Sequence, residues 1–172
     1  HKAYAVNMGR MEVQQKTRFA LQHNTPLVYA AIPLPSSAQA VTSPAVGAQP
    51  ASRLVFNVAD PSAKPRTPSY HLERIWLEPP VTKVEGGQLW VRRMGRILAD
   101  RNTDGDSGDD RILAQGIGSL DFQVISDSAV RLTVEAWVPK VDQDSFRTWI
   151  REDQLHKCRL QTVVQLPFKA MR

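Results

Sequence analysis

An acidic segment in the second half of the chain has residue types that bind hard cations. The segment "DRNTDGDSGDD" runs from Asp100 to Asp110 and contains two glycines that allow sharp turns. Calcium takes about six to eight oxygen ligands, which side-chain carboxylates and amides supply. The candidate ligands are Asp100, Asn102, Asp104, Asp106 and Asp109. Calcium is therefore the one cofactor that the sequence suggests.

The same segment also departs from a complete calcium loop. Its D-x-N-x-D-G-D spacing matches the first half of an EF-hand-type loop, but Arg111 stands where that loop has a bidentate glutamate. Neither flank has a helical pattern. The alternative interpretation is a solvated acidic hairpin loop, because Asp, Asn and Gly are common turn residues.

A second candidate site combines arginines with an aromatic residue. The stretch "LWVRRMGR" contains Trp90, Arg92, Arg93 and Arg96, and the formal net charge of the chain is +5. Arginines contact phosphates and single-stranded bases stack on aromatic rings, so this stretch suggests nucleic acid as a partner. In a strand, however, Arg92 and Arg93 would point to opposite faces, which divides the basic patch. An ordinary basic surface is the alternative.

The residues expected of a catalytic site do not occur together. The four histidines are scattered without a zinc-binding spacing, no G-x-S-x-G or glycine-rich phosphate motif is present, and Cys158 is the only cysteine. We therefore predict that the chain is not an enzyme.

The length of 172 residues and the uneven distribution of proline indicate one domain in three regions. Residues 1–24 are predicted to form an N-terminal helix. Residues 25–69 are a proline-rich loop region that contains one short strand, at Arg53–Ala59. Residues 70–172 are predicted to form an antiparallel sheet that carries the acidic loop, residues 100–110. We therefore expect the α+β class, with about four to six strands.

Alternating apolar residues support this sheet. In "AVRLTVEAWVP" the apolar residues from Val130 to Val138 recur at every second position, and Asp127-Ser128 is the predicted turn of a hairpin with "SLDFQVIS". A second predicted hairpin joins "YHLERIWLE" to "QLWVRRM" at Gly86-Gly87. Trp137 falls on the polar face of its strand. Trp137 either marks a contact surface or is covered by another segment. The covering segment would be the proline-rich loop or residues 141–157.

The N-terminal helix has two apolar stripes instead of one. Its predicted core face carries Tyr4, Met8, Met11 and Phe19, and nearly opposite lies a second stripe, Val6, Val13 and Ala20. Either another molecule or the proline-rich loop must cover the second stripe.

Several short motifs resemble minor type IV pilins and the related type II secretion pseudopilins. The motif "MEVQQKTRFAL" resembles the helix that follows the membrane-spanning part of these proteins. "QLWVRR", the acidic loop, "RILAQGIGSLDFQV" and "VRLTVEAWV" are similar to the strand order of the same family.

This resemblance implies a pilin-like fold, with a long N-terminal helix packed on an antiparallel sheet with long loops. It implies a structural subunit that initiates, caps or decorates a pilus or pseudopilus, with Val6, Val13 and Ala20 packing against other subunits. Family members are anchored in the inner membrane by a methylated, apolar N-terminal segment, which we expect before His1, and the remaining domain is periplasmic or extracellular. The alternatives are a DNA-binding minor pilin of a competence pilus and a secreted calcium-dependent binding module.

Overall fold

The computed structural model describes residues 2–33, 39–60, 69–101, 108–140 and 148–167. Within these ranges the chain forms one α-helix, ten β-strands and a short 3-10 turn. In chain order the elements are α1 (Lys2–Tyr29), β1 (Val41–Ser43), β2 (Arg53–Ala59), β3 (Tyr70–Glu78), β4 (Val81–Glu85), β5 (Gln88–Arg93), β6 (Gly95–Asp100), β7 (Arg111–Ser126), β8 (Ala129–Pro139), β9 (Ile150–Arg151), the turn Glu152–Gln154 and β10 (Leu155–Gln165).

The predicted α+β, pilin-like class is wrong, because the chain is mostly β. Seven strands form one curled antiparallel sheet in the order β1-β2-β3-β6-β7-β8-β10, and α1 is the only α-helix among the described residues. The strand content was underestimated for a physical reason. β6 is buried along nearly its whole length, so it lacks the polar and apolar alternation that reveals a half-buried strand.

The strand pairings agree with one predicted hairpin and contradict the other. β7 and β8 pair around the Asp127-Ser128 turn, with Val124 opposite Val130, as predicted. Gly86-Gly87 does form a turn, with φ of 60° and 74°, but it joins β5 to β4. β3 pairs with β6 instead.

β4, β5 and β9 form a second, smaller sheet, which packs on the main sheet around Trp137 of β8. Trp137 is only 7% exposed and packs with Val91, Met94, Ile150 and Leu155. The interpretation that residues from the 141–157 region cover Trp137 is therefore confirmed, because Ile150 and Leu155 belong to that region.

The helix α1 packs on the opposite face of the main sheet, across β7, β8 and β10. Its inner stripe consists of five residues spaced by three or four, and all of them are buried: Val13, Thr17, Ala20, Asn24 and Val28. The two polar members bond to the helix itself. Thr17 donates to the carbonyl oxygen of Val13 at 2.6 Å and Asn24 donates to that of Ala20 at 2.7 Å. These bonds reduce the cost of burying polar groups.

The predicted assignment of the two helix faces is wrong. Val13 and Ala20, assigned to filament packing, are buried against the sheet, whereas the predicted core residues are exposed. Those exposed residues are Tyr4, Met8, Met11 and Phe19. Small side chains let the helix approach the sheet closely, and long or aromatic ones would hold it away. Thr17 and Asn24 obscured the inner stripe in the sequence because they are polar.

Val6 lies in line with the inner stripe but is 40% exposed. Its exposure follows from the position of the strand ends. Gly9 lies against His156, the second residue of β10. The helical turn that contains Val6 precedes Gly9 and therefore extends past the beginning of that strand.

The helix continues to Tyr29, five residues beyond the predicted boundary at residue 24, although Pro26 lies inside it. Proline has no backbone N–H group to donate to the helix, and the loss of this hydrogen bond normally ends or kinks a helix. Here the last turn is held by the complete burial of Val28. The proline-rich region 25–69 therefore begins inside the helix.

At Gly9 the helix α1 lies close against the sheet. A methyl carbon built on Gly9 would lie 2.5 Å from Cδ2 of His156, whose side chain is buried. Any side chain at position 9 must therefore displace the imidazole ring.

We predict that Gly9→Ala destabilises the chain. Alanine favours a helix by about 1 kcal/mol relative to glycine, but overpacking a buried contact costs about 1–3 kcal/mol. In a His156→Ala background the overlap is absent, and the same substitution should become stabilising by up to about 1 kcal/mol. Urea unfolding of the four proteins of this double-mutant cycle measures both changes. A stabilising effect in the wild-type background would contradict the close contact.

Burial lowers the pKa of His156 below its ordinary value of 6.5, and the nearby charges of Lys140 and Arg10 lower it further, while Glu12 acts in the opposite direction. The unfolded chain therefore binds a proton here more readily than the folded chain does. The free energy of unfolding should fall as the pH falls through and below 6.5.

We predict that His156→Gln weakens this pH dependence because it removes the titrating group. Urea unfolding at a series of pH values measures it. His23→Gln is the matched control, since His23 is an exposed histidine on α1. An equal pH dependence in wild type and His156→Gln would contradict the assignment.

Candidate functional site

One face of α1 exposes large apolar side chains along most of its length. We call these residues the outer stripe, and their exposed fractions are 72% for Tyr4, 50% for Met8, 55% for Met11, 50% for Phe19 and 54% for Tyr29. Their spacing places them on one side of the helix, opposite the inner stripe, over about 37 Å. Tyr29 was missed in the sequence because the predicted helix ended before it.

Charged residues of opposite sign flank the outer stripe. By helix geometry Glu12 lies on one flank and Arg18 on the other. Glu12 contacts Lys16 at 3.5 Å in a partly exposed pair, and such pairs contribute about 0.3–0.5 kcal/mol. Both flanking charges therefore remain available to a second helix that packs on the outer stripe.

A second candidate site is an acidic cluster where β6 ends and β7 begins. Asp100 is the last residue of β6, and Asp109 and Asp110 immediately precede β7. One carboxylate oxygen from each of the three residues lies within 4.8 Å of the others. The cluster could hold a metal ion.

The surroundings of the acidic cluster already supply positive charge. The Asp100 side chain is completely buried, and its carboxylate pairs with the Arg74 guanidinium at 3.1 Å. Arg74 also lies over the ring of Trp76, 4.1 Å from its centroid. A cation would therefore depend mainly on Asp109 and Asp110, because Arg74 offsets the charge of Asp100.

A cavity of 360 Å³ opens beside the acidic cluster, and its walls include residues of both charge signs. The lining residues are Leu27, Glu73, Ala99, Arg101, Gly108, Asp109, Asp110 and Arg111.

The structure brings together two of the predicted calcium ligands, Asp100 and Asp109. Asn102, Asp104 and Asp106 lie outside the described residues. The flanking elements are the strands β6 and β7, so the segment connects two paired strands. Asp110, which belongs to the same segment, is the third member of the cluster. No sequence signal links Arg74 to the cluster, because the two are brought together by the pairing of β3 with β6.

The residues predicted to contact DNA do not form one patch. Trp90 and Arg92 lie on β5 of the small sheet, whereas Arg96 lies on β6 of the main sheet. Arg93 and Arg96 share the carboxylate of Glu78, at 3.2 Å and 2.6 Å. Glu78 therefore offsets part of the charge that a phosphate backbone would need.

Comparisons with protein-family models, curated proteins and solved structures found no match to this chain. Within the described ranges, no helix combines the length and the apolar character needed to cross a lipid bilayer.

Proposed function

We propose that the chain is a structural subunit of a cell-envelope filament: a minor pilin or pseudopilin that initiates, caps or decorates a type IV pilus or a secretion pseudopilus. The outer stripe carries this proposal. Five large apolar side chains on one face of a 28-residue helix are half-exposed or more, while the opposite face is already buried. A soluble monomer has no use for so many exposed large apolar side chains on one helix face.

The partner of the outer stripe is the helix of a neighbouring subunit. Two long helices bury such stripes by packing side by side with their side chains interlocked. When two copies pack parallel, the Glu12 flank of one faces the Arg18 flank of the other; antiparallel packing brings like charges together. Parallel packing gives all subunits one direction, as a filament requires.

In this proposal the outer stripe packs against other subunits, instead of the stripe of Val6, Val13 and Ala20 that the sequence resemblance suggested. Val13 and Ala20 hold the subunit together, and the outer stripe holds subunits to each other. The role is not enzymatic. The subunit is anchored in the inner membrane before assembly, with the domain described here in the periplasm or outside the cell.

We predict that the double substitution Met8→Ser and Met11→Ser prevents incorporation into filaments but leaves folding intact. Both side chains are half-exposed, so the melting temperature should change by only about 2 °C or less. The full-length gene, replaced at its own locus in the source cells, would carry the variant. Immunoblots of the sheared filament fraction would measure its incorporation.

Val84→Ser is the matched control. It removes an apolar side chain that is 75% exposed but lies on β4, away from the helix. It should leave incorporation unchanged. Absence of the wild-type protein from sheared filaments, or normal incorporation of the double variant, would contradict the proposal.

The acidic cluster favours a second candidate function, a calcium-dependent binding module. The observation behind it is the convergence of Asp100, Asp109 and Asp110. Carboxylate oxygens are the ligands that calcium prefers, and in this role the ion would link the end of β6 to the residues just before β7.

We predict that calcium raises the melting temperature of the purified chain if this candidate is correct. At a 100-fold excess over Kd, binding adds about 2.7 kcal/mol, which corresponds to roughly 5–10 °C for a chain of this size. Asp109→Asn combined with Asp110→Asn should abolish the rise. Asp121→Asn, a half-buried aspartate within β7, is the control that should preserve it.

A second variant, Asp104→Asn with Asp106→Asn, shows whether those residues also contribute ligands. Unchanged melting of the wild-type chain in millimolar calcium would exclude the candidate.

A further inference from the structure

The outer face of the small sheet carries a set of aromatic and polar side chains. Lys83, Trp90 and Arg151 are directly opposite one another across β4, β5 and β9, so their side chains point to the same side. Glu85 and Gln88 are another opposed pair, two residues along from Lys83 and Trp90, and share that side. On the other side of the sheet, Val91 and Ile150 pack on Trp137.

A cavity of 440 Å³ lies on this outer face, within the range of about 300–1,000 Å³ that is usual for small-molecule sites. We call it the tryptophan cleft. Its lining residues are Lys83, Glu85, Gly86, Gln88, Trp90 and Trp149.

Contacts within the tryptophan cleft hold its groups in place. The Trp90 indole N–H donates to the carbonyl oxygen of Glu85 at 3.4 Å. The Lys83 ammonium lies 4.8 Å from the centroid of the Trp149 ring and pairs with the Glu85 carboxylate at 2.6 Å. The Lys83 ammonium also lowers the pKa of Glu85, so this group is a carboxylate at neutral pH.

We propose that the tryptophan cleft binds an uncharged oligosaccharide. The electron-rich face of Trp90 attracts the polarised C–H groups on one side of a sugar ring. The ammonium of Lys83, the carboxylate of Glu85 and the amide of Gln88 supply donors and acceptors for the hydroxyl groups at the ring edge. The proposal does not depend on the filament role.

The charges argue for a neutral ligand over a nucleic acid. Lys83 is paired with Glu85, and Arg151 is paired with Asp153 at 3.3 Å. Arg92 is exposed and forms no ion pair with any residue of the described ranges. One unpaired arginine would bind a polyanion only weakly, since affinity for phosphate backbones rises with the number of phosphates neutralised.

A second cavity of 310 Å³ adjoins the first and shares Gln88 with it. Its other lining residues are Gly87, Leu89, Arg151, Glu152 and Asp153. The shared residue places the two cavities side by side, which gives room for a chain of sugar units rather than a single one.

The purified chain would be titrated with uncharged hexasaccharides of glucose, mannose, galactose and N-acetylglucosamine, with tryptophan fluorescence and calorimetry as readouts. We expect saturable binding of at least one of them. Trp90→Ala should weaken it by about tenfold or more. Glu85→Ala changes an exposed residue, and should also weaken binding without affecting folding.

Trp76→Ala is the matched control. Trp76 is half-buried, as Trp90 is, but it lies on β3 outside the cleft. It should leave binding unchanged. Absence of binding to all four sugars, or equal binding by wild type and both cleft variants, would overturn the proposal. Binding of an oligothymidylate that weakens with salt, without sugar binding, would identify a nucleic-acid interface instead.

Discussion

The close packing of α1 on the main sheet is the contact on which the rest of the structure depends. It is possible because the inner stripe is built from small side chains and because Gly9 leaves space for His156. The helix covers β7, β8 and β10, which contribute the centre of the apolar core. Its two buried polar side chains bond to helix carbonyl oxygens, so the contact tolerates them. A larger inner stripe would lift the helix and open the core.

This packing determines which surfaces remain for interactions. The inner stripe takes the small residues, so the long and aromatic side chains of the helix face solvent. The small sheet covers the other face of β8, through Trp137. The outer stripe and the tryptophan cleft therefore lie on opposite sides of the main sheet. A subunit packed through its helix would still present the cleft to solvent, so an assembly role and a ligand-binding role are compatible.

The acidic cluster illustrates how charge burial constrains a site. Asp100 is completely buried at the end of β6, and a buried carboxylate requires a compensating charge. Arg74 supplies that charge from β3. The first role of Asp100 is therefore structural, since its ion pair joins the end of β6 to the middle of β3. Any cation bound by Asp109 and Asp110 is an addition to this arrangement.

Local patterns in the sequence were enough to predict the N-terminal helix, the strand Arg53–Ala59 and the β7–β8 hairpin, because each depends on residues close along the chain. The same patterns could not predict that β3 pairs with β6, or that Arg74 meets Asp100, because these contacts join distant segments. The patterns also could not show which of the two apolar faces of α1 is buried against the sheet. Periodicity reveals that both faces are apolar, but the sheet accepts the face whose side chains are small enough for close packing. The amino-acid sequence alone therefore determined the elements and the two stripes. Only the tertiary structure decided which stripe is core and which is surface, since that choice depends on steric fit against strands that are distant in the chain.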